Sequence, residues 1–290
     1  MKKAKSDIIF DTINGILIML LCLVFIIPFW MVIISSFTDN ISLTIHGYSL
    51  WPQKWSLEGY KYIFNAESLN LVRAIGNSLF VSITSTLISV ALSTTAAYVL
   101  SKKDLVGHRF FNVIYVITMF FSGGMIPFFL VLRSIHLYDT IWALVLPYAL
   151  NVYHIILVRS YFYSLPSSLN EAARIDGATE LQVLVKIMLP MSVPMVLTIA
   201  FFMFVDRWNS WIDALLFLSP SSEHLVPMQF VLQKMLNDMD SIGGSASGGL
   251  TPTQTAQSCG VVIAIFPLLV MLPILQKYFI IGITVGAVKG

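Results

Sequence analysis

Three kinds of residue in this chain have types that can do chemistry. Histidines and cysteines can hold a metal. Hydroxyl and carboxyl groups can act on a substrate. Polar and aromatic groups set inside apolar runs can bind a solute. The first kind is scattered: His46, His108, His136, His154 and His224 show no ligand spacing, and Cys22 and Cys259 each sit alone in an apolar run. The second kind forms no Ser/His/Asp set and no carboxylate pair in a recognisable motif. Gly243-Gly244-Ser245-Ala246-Ser247-Gly248-Gly249 is glycine-rich, but no Gly-Lys-Ser/Thr comes after it, so it is linker rather than phosphate loop. Any ATP used with this chain must therefore be bound by another subunit. The residues predict no catalytic group and no metal site; an integral-membrane transferase is the nearest enzyme reading.

The third kind is informative. Asn77, Asn151 and His154 fall within or near apolar spans. Such groups face a bundle interior, where they either bond between helices, for roughly 0.6–2 kcal/mol, or line a path. Asp206-Arg207-Trp208-Asn209-Ser210-Trp211-Ile212-Asp213 is denser. It reads either as an aromatic belt at the membrane surface with a surface ion pair, or as a solute lining built from Trp208, Asn209 and Trp211.

The elements that must carry these residues are set by composition. Of 290 residues, 57% are hydrophobic and 11% are charged, against about 25% charged in a soluble domain. Such a chain cannot cover a water-exposed surface. Disorder and nucleic-acid binding both need charge, and the net charge is only +2. What remains is an all-α integral membrane protein, since the apolar runs do not alternate as barrel strands do. A span needs about 20 apolar residues. Six segments qualify: roughly Ile13–Ser36, Ile75–Leu100, Phe110–Leu132, Thr140–Tyr161, Ile187–Val205 and Gly260–Ile280. The first comes after Lys2, Lys3 and Lys5, yet it is longer than a signal-peptide core and is expected to stay as a helix.

Orientation is read from the positive charges. With the N-terminus inside, eleven of the 17 Lys and Arg face the cytoplasm and six face out. Both termini are expected to be cytoplasmic. Segments 37–74 and 206–258 then face outward. The chain divides into 1–74 (tail, first span, first outer loop), a core at 75–280, and a tail at 281–290.

Residues 165–190 read LPSSLNEAARIDGATELQVLVKIMLP and lie on the inner side of that topology. Ser168 stands three residues before Glu171, which is capping-box spacing. A short helix is expected there, broken at Asp176-Gly177. Thr179 is expected to cap the next helix, with a kink near Pro190 and Pro194. On physical grounds alone this is an amphipathic connector.

Glu171-Ala172-Ala173, Gly177 and Ile187-x-Leu189-Pro190 resemble the EAA–G–I-LP signature of permeases of ABC importers. Met125-Ile126-Pro127, the stretch from Trp142 to Pro147, and Gly286-Ala287-Val288-Lys289-Gly290 are similar to the maltose-type carbohydrate branch, from about residue 70 onward. Trp208-Asn209 also matches, while Ala214 stands where that family often has Pro. The resemblance implies a type I ABC importer permease fold, in a bacterial-type plasma membrane. It implies that Glu171, Ala172, Ala173, Gly177, Ile187, Leu189 and Pro190, with Val288 and Lys289, couple to a cytoplasmic ATPase. It implies a second permease, two ATPase subunits or domains that bind ATP and Mg, and an extracellular solute-binding protein. The cargo implied is a carbohydrate; a peptide importer and a secondary transporter are the alternatives.

Overall fold

The computed structural model describes residues 5–65, 70–102, 104–242 and 253–287. In chain order the helices are α1 (Lys5–Ser36), α2 (Asn40–His46), α3 (Glu58–Asn65), α4 (Leu71–Ser101), α5 (His108–Phe120), α6 (Met125–Ser134), α7 (Val152–Ser164), α8 (Ser167–Ile175), α9 (Glu180–Val183), α10 (Leu189–Met191), α11 (Val193–Trp208), α12 (Ile212–Phe217), α13 (Met228–Ile242) and α14 (Thr253–Ala287). Short 3-10 turns precede α7, and a π-helical turn, Leu184–Met188, joins α9 to α10.

Four helical segments are long and apolar enough to cross a bilayer: Ile9–Ser36, Leu71–Ser101, Ile141–Ser164 and Gln254–Pro273. Two bent helix pairs reach the same length and apolarity only when each pair is taken together. α5 and α6 meet at 112°, and Glu180–Met191 meets Val193–Trp208 at 84°. The straight third span expected over Phe110–Leu132 is therefore broken. The break lies at Phe121-Ser122-Gly123-Gly124, where Gly124 has φ +87°, a backbone state that stops one helix and starts another. The kink expected near Pro190 and Pro194 falls at Ser192, which stands at the N-cap position of α11 without a side-chain cap bond. The fourth span is a true α-helix only from Val152. Its first part, Ile141–Leu144 and Leu146–Tyr148, is 3-10, and the Asn151 side chain caps the α-helical part.

Two compact units divide the chain. One comprises 1–71 and 232–266. In it the backbone of Thr38 bridges to Trp55, and Asp39 caps α2 while facing Lys54 Nζ at 3.4 Å. Cys259 Sγ donates to Ser36 O (3.3 Å) and Thr255 Oγ1 to Thr38 O (3.2 Å), which ties the start of α14 to the end of α1. A Cβ on Gly59 would meet Thr255 Cγ2 at 2.7 Å, so α3 can lie this close only with glycine there.

The other unit comprises 72–231 and 267–290. Its main core gathers Ala97, Tyr98 and Leu100 of α4, Ile155, Val158 and Phe162 of α7, Ala173 of α8, Val183 of α9, Leu184 and Met188 of the π turn, and Ile199 of α11. A smaller cluster joins Leu132, Ala143 and Phe217. Beside it Asp139 takes the Ser219 N–H and hydroxyl, each at 2.8 Å. Along α4, Ser78, Ser82, Ser85, Ser89 and Ser93 are all buried, on one helical face.

Candidate functional site

The segment 165–190 folds as two helices joined by a glycine turn. α8 opens directly after Pro166, which occupies the cap position, and no side chain caps it. The capping box expected of Ser168 and Glu171 does not form: the proline sets the helix start earlier, so Ser168 already lies inside the helix. The box forms instead one helix later. Thr179 Oγ1 accepts the Gln182 N–H (3.4 Å), and Gln182 Oε1 accepts the Thr179 N–H (2.9 Å).

α8 ends as its sequence demands. Ala178 N–H donates to Ala173 O (3.0 Å) and Gly177 N–H to Arg174 O (3.1 Å), with Gly177 at φ +76°. This is a Schellman motif, which needs a left-handed residue in that position. Helical rotation then separates the signature residues. Glu171 and Ala172 are exposed, whereas Ala173 is 7% exposed and packs into the main core. Ile187 and Leu189 are half-buried against the same core, and Pro190 is exposed. Val288 and Lys289 lie outside the described residues.

The partners of one charged group within this segment were not legible in the sequence. Glu180, at the start of α9, takes Tyr98 Oη at 2.5 Å and Lys102 Nζ at 2.6 Å on one oxygen, and Arg174 Nη2 at 2.8 Å on the other. The Glu180 carboxylate holds the Arg174 guanidinium above its already high ordinary value. Only Arg174 lies close to Glu180 in sequence; Lys102 and Tyr98 are 78 and 82 residues away.

The polar and aromatic candidates divide among three surroundings. Asn77 Nδ2 donates to His224 O (2.9 Å) and Val226 O (3.0 Å), bracing α4 against the loop before α13. Asn151 caps α7 by accepting the His154 N–H, and it lines a cavity of about 290 Å³ with Tyr148, Tyr153 and Asp206. His154 itself is buried, and its Nδ1 meets no partner among the described residues.

Trp208 is 1% exposed and stacks on Phe204 at 5.9 Å and 9°. Asn209 is exposed, donates to Val205 O (2.9 Å) and accepts from Gln229 Nε2 (3.4 Å). With Trp211 it lines a larger cavity of about 720 Å³, together with Phe201, Asp206 and Ser210. Asp206 lines both cavities.

The ion pair in this run is not a surface one on its cationic side. Arg207 is 6% exposed. It donates to Asp206 (2.8 Å) and to Asp213 (2.8 Å), and its guanidinium lies 3.5 Å from the centre of the Tyr148 ring. Tyr148 Oη in turn donates to Asp213 at 2.5 Å, and Ser210 Oγ donates to the same carboxylate. A buried guanidinium needs such partners, because an unpaired charge here would be very costly. Nothing near Arg207 in the sequence points to Tyr148, 65 residues before Asp213. Among the described residues, no three His, Cys, Asp or Glu gather as metal ligands.

Comparison with known proteins bears on this geometry. The family model described as "Binding-protein-dependent transport system inner membrane component" matches residues 88–285. The polygalacturonan/rhamnogalacturonan transport system permease protein YtcP of Bacillus subtilis is 37% identical, over 97% of this chain and 99% of its own. The trehalose/maltose transport system permease protein MalG of Thermococcus litoralis is 30% identical, over 96% and 95%. A chain in the crystal structure of a bacterial ABC transporter involved in import of the acidic polysaccharide alginate superposes with a TM-score of 0.84, at 30% identity, covering 96% of this chain and 99% of that one.

Proposed function

Since the chain belongs to the family of binding-protein-dependent transport system inner membrane components, we propose that it is one permease subunit of an ATP-driven carbohydrate importer. It contributes half of a translocation path. A homologous permease supplies the other half, two ATPase subunits or domains bind ATP and Mg, and an extracellular binding protein delivers the solute. The chain itself is a non-catalytic, multi-pass component of a bacterial membrane, with both termini in the cytoplasm. In this reading 1–74 is tail, anchor and outer loop, 75–280 is the permease core, and 281–290 is a tail near the ATPase.

The observation that carries the coupling role is the split face of α8. Ala173 fixes the helix to the core of its own chain, while Glu171 and Ala172 stay exposed beside it. A short helix anchored on one side and open on the other is suited to a partner's groove, and a small residue such as Ala172 permits close approach. Gly177 turns the chain back toward the membrane, where Ile187, Leu189 and Pro190 begin the next span. Val288 and Lys289 are secondary contacts.

Carbohydrate is the cargo named for the relatives. The lining supports the same class. Sugar rings present C–H faces that lie on aromatic rings, and hydroxyls that need partners once water is removed. Trp211, Asn209 and Asp206 offer both around the larger cavity, with Asn151 at the smaller. The His154 N–H holds Asn151, while Trp208 stacks on Phe204 and Asn77 bonds the backbone before α13.

Affinity purification tests the assembly: the tagged chain should bring down a second permease and an ATPase. Uptake by that complex in liposomes, with its binding protein and a panel of neutral and acidic oligosaccharides, tests the cargo. Import of peptides and of no glycan would refute the substrate class and leave the permease reading standing. Transport by this chain alone would favour a secondary transporter.

A further inference from the structure

Between α8 and α9 the chain passes through Asp176-Gly177-Ala178, a turn whose glycine has φ +76°. A turn of this kind is a joint. If α8 is pushed, a free joint absorbs the movement by changing backbone angles, and little reaches the spans beyond it.

Glu180 closes that joint. Its Oε1 takes Arg174 Nη2 (2.8 Å), so the last turn of α8 and the first of α9 are bonded directly across the glycine. Its Oε2 takes Tyr98 Oη (2.5 Å) and Lys102 Nζ (2.6 Å), which lie at the end of α4 and just beyond it. Lys102 Nζ also lies 4.4 Å from the centre of the Tyr98 ring, and Asp104 stands 3.7 Å from Arg174. A lone exposed ion pair contributes little. Here three donors from three places converge on one carboxylate; all three bonds are charge-assisted and two are ion pairs, which gives direction as well as strength. Lys102 is 17% exposed and Glu180 56%, so water reaches that arm from the carboxylate side only. The apolar packing of Ala173 holds α8 close to the core without fixing its angle.

We infer that Glu180 is a positioning residue: with Tyr98, Lys102 and Arg174 it locks α8 to α4 and α9, so that a displacement of α8 is delivered at once to the long helix α4 and to the bent pair that α9 opens. This rests on the reading of α8 as the segment that meets the ATPase.

The test uses the assembled complex in liposomes, in a background with Cys22 and Cys259 replaced. Spin labels are placed at Val99→Cys on α4 and Ile175→Cys on α8, both exposed positions. Their separation is measured without nucleotide and with ATP plus vanadate. The lock requires one narrow distance distribution, the same in both states. Glu180→Gln should leave assembly intact, broaden the distribution and make it shift with nucleotide. It should also cut the stimulation of ATP hydrolysis by the binding protein about tenfold, the scale of one lost charge-assisted bond. Lys102→Gln added to Glu180→Gln should change little more, because both act on one network. If Glu180→Gln does not assemble, Arg174→Gln, which removes the arm across the glycine and the Asp104 contact but leaves Tyr98 and Lys102 on Glu180, should give the same broadening.

A disulfide cross-link from Ala172→Cys to the ATPase separates this inference from the reading beneath it. An intact cross-link with an unmoved, narrow distance in Glu180→Gln or Arg174→Gln overturns the lock alone. A distance that already shifts with nucleotide in the unmutated lock overturns it too. Failure of any cross-link to the ATPase removes the docking role and the lock with it.

Discussion

A Cβ at Gly177 would meet no atom within 4 Å, so a substitution there acts through the backbone alone. With φ +76°, Gly177→Val should cost roughly 1–2 kcal/mol and misdirect α8. Gly177→Asn should be milder, because Asn tolerates this state. Solute uptake should fall in the first far more than in the second, while solute binding to the external protein is unchanged in both; equal uptake would dismiss the turn. Glu171 makes no cap, so Glu171→Gln should keep stability within about 0.5 kcal/mol. A loss of ATP coupling without a loss of thermal stability would place its role outside the chain's own fold. Asp139 offers a pH test. The Ser219 N–H and hydroxyls nearby hold its carboxyl below the ordinary 3.8. A folded value lower than the unfolded one means its contribution is complete above about 3.8 and is lost as pH falls through the folded value. Asp139→Ala should therefore lower the melting temperature at pH 7, and the difference from wild type should close in strong acid. A gap that persists there would locate its effect in packing rather than charge.

At the scale of elements, α4 is the test case. Ser78, Ser82, Ser85, Ser89 and Ser93 recur every three or four residues, and each is no more than 1% exposed. Small side chains let helix backbones approach where lipid offers no hydrophobic drive. Ser89→Ala should be nearly neutral in thermal unfolding. Ser89→Leu should wedge the contact open and cost about 1–3 kcal/mol; tolerance of leucine would show that the face is not tightly packed. The elements also show how far a sequence can be read. Run length alone marks the spans around α1, α4 and α14, because twenty apolar residues need no further context. It misses the bend between α5 and α6, since hydropathy is blind to backbone angle, although Gly123-Gly124 carried the signal. Ser168 to Glu171 had the right spacing for a capping box and failed because Pro166 started the helix first. The same spacing at Thr179 to Gln182 succeeded. Glu180 and Arg207 were out of reach, because their partners Tyr98 and Tyr148 are neighbours only after folding.

For the whole molecule the open quantity is its orientation in the bilayer. The Lys and Arg bias predicts α8 inside and the loop bearing Trp51-Pro52-Gln53-Lys54-Trp55 outside. Both Gln53 and Ser168 are exposed. In a background without Cys22 and Cys259, an impermeant thiol reagent on intact cells should label Gln53→Cys and spare Ser168→Cys. The reverse pattern would invert the topology and end the coupling argument. The uninterrupted α1 has a different consequence, for synthesis. It runs 32 residues, about 48 Å at 1.5 Å per residue, and satisfies its own backbone bonds save the one that Pro28 removes, so it can settle in lipid as soon as it leaves the ribosome. The bent pairs cannot. At Phe121–Gly124 and at Ser192 the backbone leaves the helix, and such groups tolerate the bilayer core only under cover of other protein. A nascent chain stalled after α6 would hold two firm anchors, α1 and α4, beside a break that nothing yet covers. That unfinished stage, more than the finished permease, is where its backbone is exposed to lipid.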